Sequence, residues 1–250
     1  FDSYVFDGCS SLKNVYYAGT QSQWGQIHTV LPENAILLNI NINYDSELEL
    51  SGTGKDFNYE PLSDGTVQIT EYTGKDTIVS IPEKIDGKIV SSIGERTFIS
   101  SDGITKITKV IISPNVNNID AQAFTYCPKL VEINVDKNNL NYYSDEGILY
   151  NKDKTELIRC PAGKSGTCSV LADTETIGKS AFGNCKQLTE IEFPTGLVNI
   201  GEAAFTFCDA LTEISLPSGL RYIEDYAFSG CFGLTEVTIL GNVERVNGSS

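Results

Sequence analysis

AFGNCKQLTEIEFP (181–194), AFTFCDALTEISLP (204–217) and AFSGCFGLTEVTIL (227–240) are three writings of one phrase, each beginning 23 residues after the last. Phe182, Phe205 and Phe228 hold one place in it, and Cys185, Cys208 and Cys231 another. A fixed period of this length marks stacked units, each of which buries its apolar face only against its neighbours.

One unit reads Ile200, Ala204, Phe205, Cys208, Leu211, Ile214, Leu216, Pro217. Its LTEISL stretch has the L-x-x-L-x-L spacing of a leucine-rich repeat strand, with the last apolar positions alternating with exposed ones. The preceding EAAFTFC, small and aromatic, suits a short helical or turn segment behind the strand. Pro217, like Pro194 and Pro82, ends its strand, because proline has no donor for the ladder. The fold expected is a leucine-rich repeat solenoid, mixed β with short helical or turn segments, its parallel strands on a concave face.

Upstream the frame recurs at Ile119, Phe124, Cys127, Leu130, Ile133 and Val135, and again, after a three-residue insertion, at Phe98, Ile107, Val110 and Ile112. From Phe124 to Phe182 the phase is 58 residues, not a multiple of 23. The excess reads as a hairpin inserted over about 136–172, with strands GILY and TELIRC around the polar NKDK. Residues 1–44 carry Phe6, Cys9, Leu12, Val15 and Tyr17, the terminal coil and cap of a first stack. Residues 45–56 are polar and glycine-rich and read as a linker. The second stack is expected over 57–241, opening with capping strands in 57–92, and 242–250 as a polar tail.

The segments IGKSAFGNCKQLTEIEFP, GILYNKDKTELIRCP and VYYAGTQSQWGQI together resemble the BspA-like leucine-rich repeat family of bacterial surface and secreted proteins. The resemblance spans nearly the whole chain, the linker and last ten residues excepted. It implies a solenoid, an extracellular or cell-surface location, and adhesion or protein binding; some members are adhesins for host matrix proteins. The family shares no catalytic residues that could be carried over.

The charge of −15, from 33 acidic against 18 basic residues, argues against a nucleic-acid partner, which needs a basic footprint. No run of about 18 apolar residues is present, so no membrane insertion is expected. The chain opens on Phe1 in mid-repeat and holds no Met, which reads as a piece of a longer precursor whose targeting segment lies elsewhere.

Five of the seven cysteines follow the repeat's Phe by three residues, a spacing that suits small packing side chains one rung, about 4.8 Å, apart. Cys160 and Cys168 fall outside that row. PAGKSGT between them reads as a reversal, and pairing of its flanks would make them a candidate disulfide in an oxidising compartment. The single histidine, His28, leaves nucleophilic catalysis without a base, and no zinc-like cysteine spacing occurs. Neither an enzyme, a cofactor nor a metal site is expected.

Between the apolar positions of LTEI two residues point outward. Thr189, Thr212 and Thr235 are expected to stack in one row, and Glu190, Glu213 and Glu236 in another, with Glu132 before them and Glu192 beside them. Such a row is either a solvated face that deters edge pairing or a surface for basic groups of a protein partner. Tyr16, Tyr17, Trp24, Tyr142 and Tyr143 offer a glycan platform or cover for the stack. The resulting expectation is a monomeric module that binds a host or cell-surface protein through its strand face, with a carbohydrate-binding accessory module or a structural spacer as alternatives.

Overall fold

The computed structural model describes residues 14–17, 41–44, 54–99 and 105–247. The chain forms two compact units, Phe1–Ser51 and Gly52–Ser250. In the first, Asn14–Tyr17 pairs in parallel with Asn41–Tyr44. The other residues of this unit, and with them Cys9, Trp24 and His28, lie outside the described residues, as do the side chains of Tyr16 and Tyr17.

The second unit is a β-solenoid of about eight turns with a repeat of about 23 residues. Its aliphatic core falls into two clusters, each with its own column of stacked aromatic rings. Phe182, Phe205 and Phe228 stack at 5.0 and 5.1 Å, and Phe98 stacks on Phe124 at 5.3 Å. The corner carrying each Phe is built of turns, not helix, and the only helix among the described residues is the 3-10 turn Gly54–Asp56. The reason lies in the backbone. Ser180 and Asn184, Ala203 and Phe207, and Tyr226 and Gly230 all have left-handed φ between 55° and 72°, so two residues per corner interrupt any helical run. Each cysteine thiol then points at a carbonyl of the preceding coil: Cys208 to Phe182 at 3.2 Å, Cys231 to Phe205 at 2.9 Å, Cys185 to Cys160 at 3.6 Å.

Two rows of strands run up the stack, and the longer ladder is not the one that the L-x-x-L-x-L spacing marks. Thr176–Ile177, Asn199–Ile200, Tyr222–Ile223 and Arg245–Val246 pair in parallel, two residues at a time, and join Tyr142–Asp145, Ile148–Asn151 and Glu156–Arg159 in one seven-stranded sheet. Arg245–Val246 is therefore the top rung of this ladder, where the sequence had suggested a tail. On the L-x-x-L-x-L row the strands fall into three separate sheets: Ile78–Ser80, Lys109–Ile112 and Glu132–Val135; Ser165–Ser169 with Gln187–Glu192; and Glu213–Leu216 with Glu236–Ile239.

The expected hairpin is present, Ile148–Asn151 antiparallel to Glu156–Arg159, with Tyr142–Asp145 added antiparallel on its outer side. Alternation along its central strand serves two cores. Leu149 packs with Val110, Ile112 and Ile133, while Ile148 and Tyr150 pack with Cys168, Phe182 and their neighbours. At the other end Phe57–Pro61 and Val67–Tyr72 form an antiparallel cap, and Lys88–Ile93 continues it in parallel. These strands lie within the 57–92 segment expected to supply capping strands, while Ile78–Ser80 from the same segment belongs to the strand row.

Candidate functional site

The strand face is set by the alternation within each short strand. In Gln187–Glu192, Leu188 and Ile191 are buried while Thr189, Glu190 and Glu192 are exposed. One coil on, Ile214 and Leu216 are buried and Thr212 and Glu213 exposed; in the last coil Thr235 and Glu236 are exposed. Buried aliphatics thus hold seven polar side chains on one surface.

Their neighbours differ from coil to coil. Glu213 lies directly opposite Glu236, like charges one rung apart with only solvent to screen them. Thr235 donates through its backbone N–H and its hydroxyl to the Thr212 carbonyl, at 2.8 and 3.1 Å. Glu190 and Glu192 accept hydrogen bonds from Thr167 at 2.9 Å and Ser169 at 2.6 Å. Glu132 is ion-paired with Lys109 at 2.9 Å, and that hydrogen-bonded ammonium holds its carboxyl below the usual range. Because the row is split into three sheets, the threonines and glutamates form in-register pairs within sheets, not the single unbroken column expected from the 23-residue period.

Between the first and second of these sheets opens a groove of about 540 Å³ that the sequence reading missed. Its floor is Val131, Glu132 and Asn134, and its walls are Glu146 with Gly147 and Gly163 with Lys164 and Ser165. The hairpin tip makes it. Gly147 sits so close to Glu132 that an added Cβ would lie 2.9 Å from the Glu132 Cα, and its carbonyl accepts from the Ile133 N–H at 2.8 Å. The tip therefore takes the place beside Glu132–Val135 that the next coil's strand would fill. Its one trace in the sequence is the 58-residue phase between Phe124 and Phe182.

Cys160 and Cys168 are free thiols, both buried. The segments flanking PAGKSGT do not pair with each other, as the reversal reading required; Ser165–Ser169 runs parallel to Gln187–Glu192 instead. The two thiols nonetheless lie in one core cluster, where burial pushes Cys160 well above its usual pKa and the neighbouring Cys160 thiol holds Cys168 below its own. Tyr142 donates to the Asn117 carbonyl at 3.4 Å, and Tyr143 lies under the Lys154 ammonium at 4.4 Å; both are half-buried against the stack. Among the described residues no three His, Cys, Asp or Glu side chains are grouped to hold a metal ion.

A family model described as the BspA type leucine-rich repeat region, in six copies, matches residues 67–163 and 166–250. Among solved structures, a leucine-rich repeat protein from Eubacterium ventriosum is similar with a TM-score of 0.55 at 18% identity, over 77% of this chain and 72% of that one. A leucine-rich repeat protein of T. pallidum is 24% identical with a TM-score of 0.39, over 74% and 79% of the two chains. The pneumococcal vaccine antigen PcpA is 15% identical with a TM-score of 0.43, over 73% and 79%. At such identities the first of these shows a shared fold. No curated protein matches the chain.

Proposed function

Since the chain belongs to the BspA-type leucine-rich repeat family, we propose that its solenoid is an extracellular, adhesin-like module that binds a host or cell-surface protein through its strand face. The role is recognition, not catalysis, and the module acts as a monomer. The observation that carries this reading is the exposure of Thr189, Glu190, Glu192, Thr212, Glu213, Thr235 and Glu236 on strands whose aliphatic side chains are buried in the first two coils, Leu188, Ile191, Ile214 and Leu216, and partly exposed in the last, Val237 and Ile239. Side chains on a rigid support lose little further freedom on binding, so many weak contacts can add. The acidic row favours a partner patch rich in Lys or Arg, which would also be steered to it in solution.

The test is binding of the purified chain to an array of host matrix proteins and glycans, repeated with Glu190→Gln, Glu213→Gln and Glu236→Gln combined. A protein should bind, and bind about tenfold more weakly to the variant, since three exposed ion pairs at roughly 0.5 kcal/mol each come to about 1.4 kcal/mol. High salt should weaken it in the same direction. A glycan bound equally well by both proteins would overturn the proposal.

A further inference from the structure

The groove under the hairpin tip is flanked by a strand with one empty side. Among the described residues, Ser165–Ser169 is hydrogen-bonded to Gln187–Glu192 and to no other strand. The strand one coil below, Glu132–Val135, has spent its facing groups on the hairpin: Ile133 N–H on the Gly147 carbonyl, and Val135 N–H on the Ser144 hydroxyl at 2.9 Å. One side of the 165–169 backbone is therefore left without a ladder partner next to a groove of about 540 Å³, within the ~300–1,000 Å³ range of ligand sites.

The side chains around it leave that backbone accessible. Gly163 and Gly166 stand at the start of the strand, and an added Cβ at Gly166 would meet nothing within 4 Å. Ser165 and Thr167 are small and exposed. The charges are also unspent in a particular pattern. Glu132 is committed to Lys109 and to Asn134 and also feels the charge of Lys164; among the described residues neither Lys164 nor Glu146 makes an ion pair, and both line the groove. Val131, 41% exposed, supplies an apolar spot on the floor.

We propose that this groove takes an extended peptide segment of a protein partner, which adds as a strand to the free side of Ser165–Ser169 and places an acidic side chain at Lys164 and a basic one at Glu146. An added strand draws its affinity from main-chain hydrogen bonds and its selectivity from alternate side chains. The missing rung and the two unpaired charges fit those two demands. This rests on the protein-binding reading above and gives it a second, more selective element beside the glutamate row.

A library of random linear heptapeptides panned against the whole chain supplies the probe, with affinities measured by calorimetry. The selected peptides are expected to carry one acidic and one basic residue at a constant spacing. Lys164→Ala, at a half-buried side chain, and Glu146→Gln, at an exposed one, should each weaken binding about threefold. N-methylation of the peptide should cost about tenfold at alternate residues and little at those between, because only every second N–H faces the strand. A combined Glu213→Gln and Glu236→Gln variant, whose two residues lie in the separate sheet of Glu213–Leu216 and Glu236–Ile239, should bind the peptides unchanged. Failure of the library to yield a binder, or binders indifferent to both groove variants, overturns the proposal. A matrix protein that still needs the glutamates would then leave the strand-face reading standing by itself.

Discussion

At the scale of single residues, the fold accepts local costs where the stacking demands them. Left-handed backbone at Ala203 and Phe207 is disfavoured for residues with a Cβ by about 1–2 kcal/mol, yet it turns the corner that puts Phe205 on its column. Glu156 is a second such cost. Its carboxylate lies half-buried against Gly178, and burial raises its pKa. A carboxyl whose folded pKa exceeds its unfolded value destabilises the fold when ionised, so stability from this group rises as the pH falls through the folded pKa. Glu156→Gln should therefore melt higher than the parent at neutral pH, and the gap should close by pH ~3, below the unfolded pKa of about 4.3, where the carboxyl is protonated in both states. Thermal melts across that range check it. The seven polar residues of the strand face were legible from the L-x-x-L-x-L spacing, which leaves two outward residues, Thr189 and Glu190, between Leu188 and Ile191 before alternation sets in. The cysteine was legible for its size but not for its thiol, because the carbonyl it meets, 26 residues back in the cases of Cys208 and Cys231, is defined only once coils are stacked.

At the scale of elements, the inserted hairpin is held by one buried amide. Asn139 is fully buried; its Nδ2 donates to the carbonyls of Ser113 and Val116 at 2.9 Å, and its Oδ1 accepts from the N–H groups of Asn141 and Tyr142 at 2.8 Å. Asn139→Ala strands two buried carbonyls and leaves two partly exposed N–H groups to water, so at ~1 kcal/mol for each buried group the loss is about 2 kcal/mol, read as a shift in denaturant midpoint. Arg159, also buried, performs a similar task at the next corner, donating to the carbonyls of Ser180 and Gly183 at 2.6 and 3.0 Å. The hairpin's two central strands were readable from GILY and TELIRC. Its docking was not, because it depends on Gly147 reaching Glu132, a contact that no local pattern encodes. For the same reason the split of the strand row and the groove beside it stayed hidden, although the broken phase marked where to look.

At the scale of the whole solenoid, two cores meet at one strand. Leu149 belongs to the first and Tyr150 to the second, so each half reaches the other through adjacent residues. Leu149→Ala should cost about 3 kcal/mol and loosen amide protection first in Lys109–Ile112 and Glu132–Val135, whereas Tyr150→Ala should loosen Ser165–Ser169 and Gln187–Glu192. Hydrogen exchange separates the two patterns. Equal loss in both halves from either change would mean that the stack opens as one unit.

The ties between coils share one offset. Lys179 with Glu202, Lys186 with Asp209, Arg221 with Glu244, Lys109 with Glu132 and Thr167 with Glu190 are all 23 residues apart. Loss of residues 190–212, one full period, would bring Thr167 to Glu213, Lys179 to Asp225, Phe182 to Phe228 and Cys185 to Cys231. Most of the bonding scheme would close over the gap; Lys186 would face Phe232 in place of Asp209, and Ser169 would face Ser215 in place of Glu192. For a gene carrying such a stretch, unequal recombination in whole periods is then a tolerated event, and the number of coils becomes a quantity that descent can adjust while the core column of each remaining coil is kept.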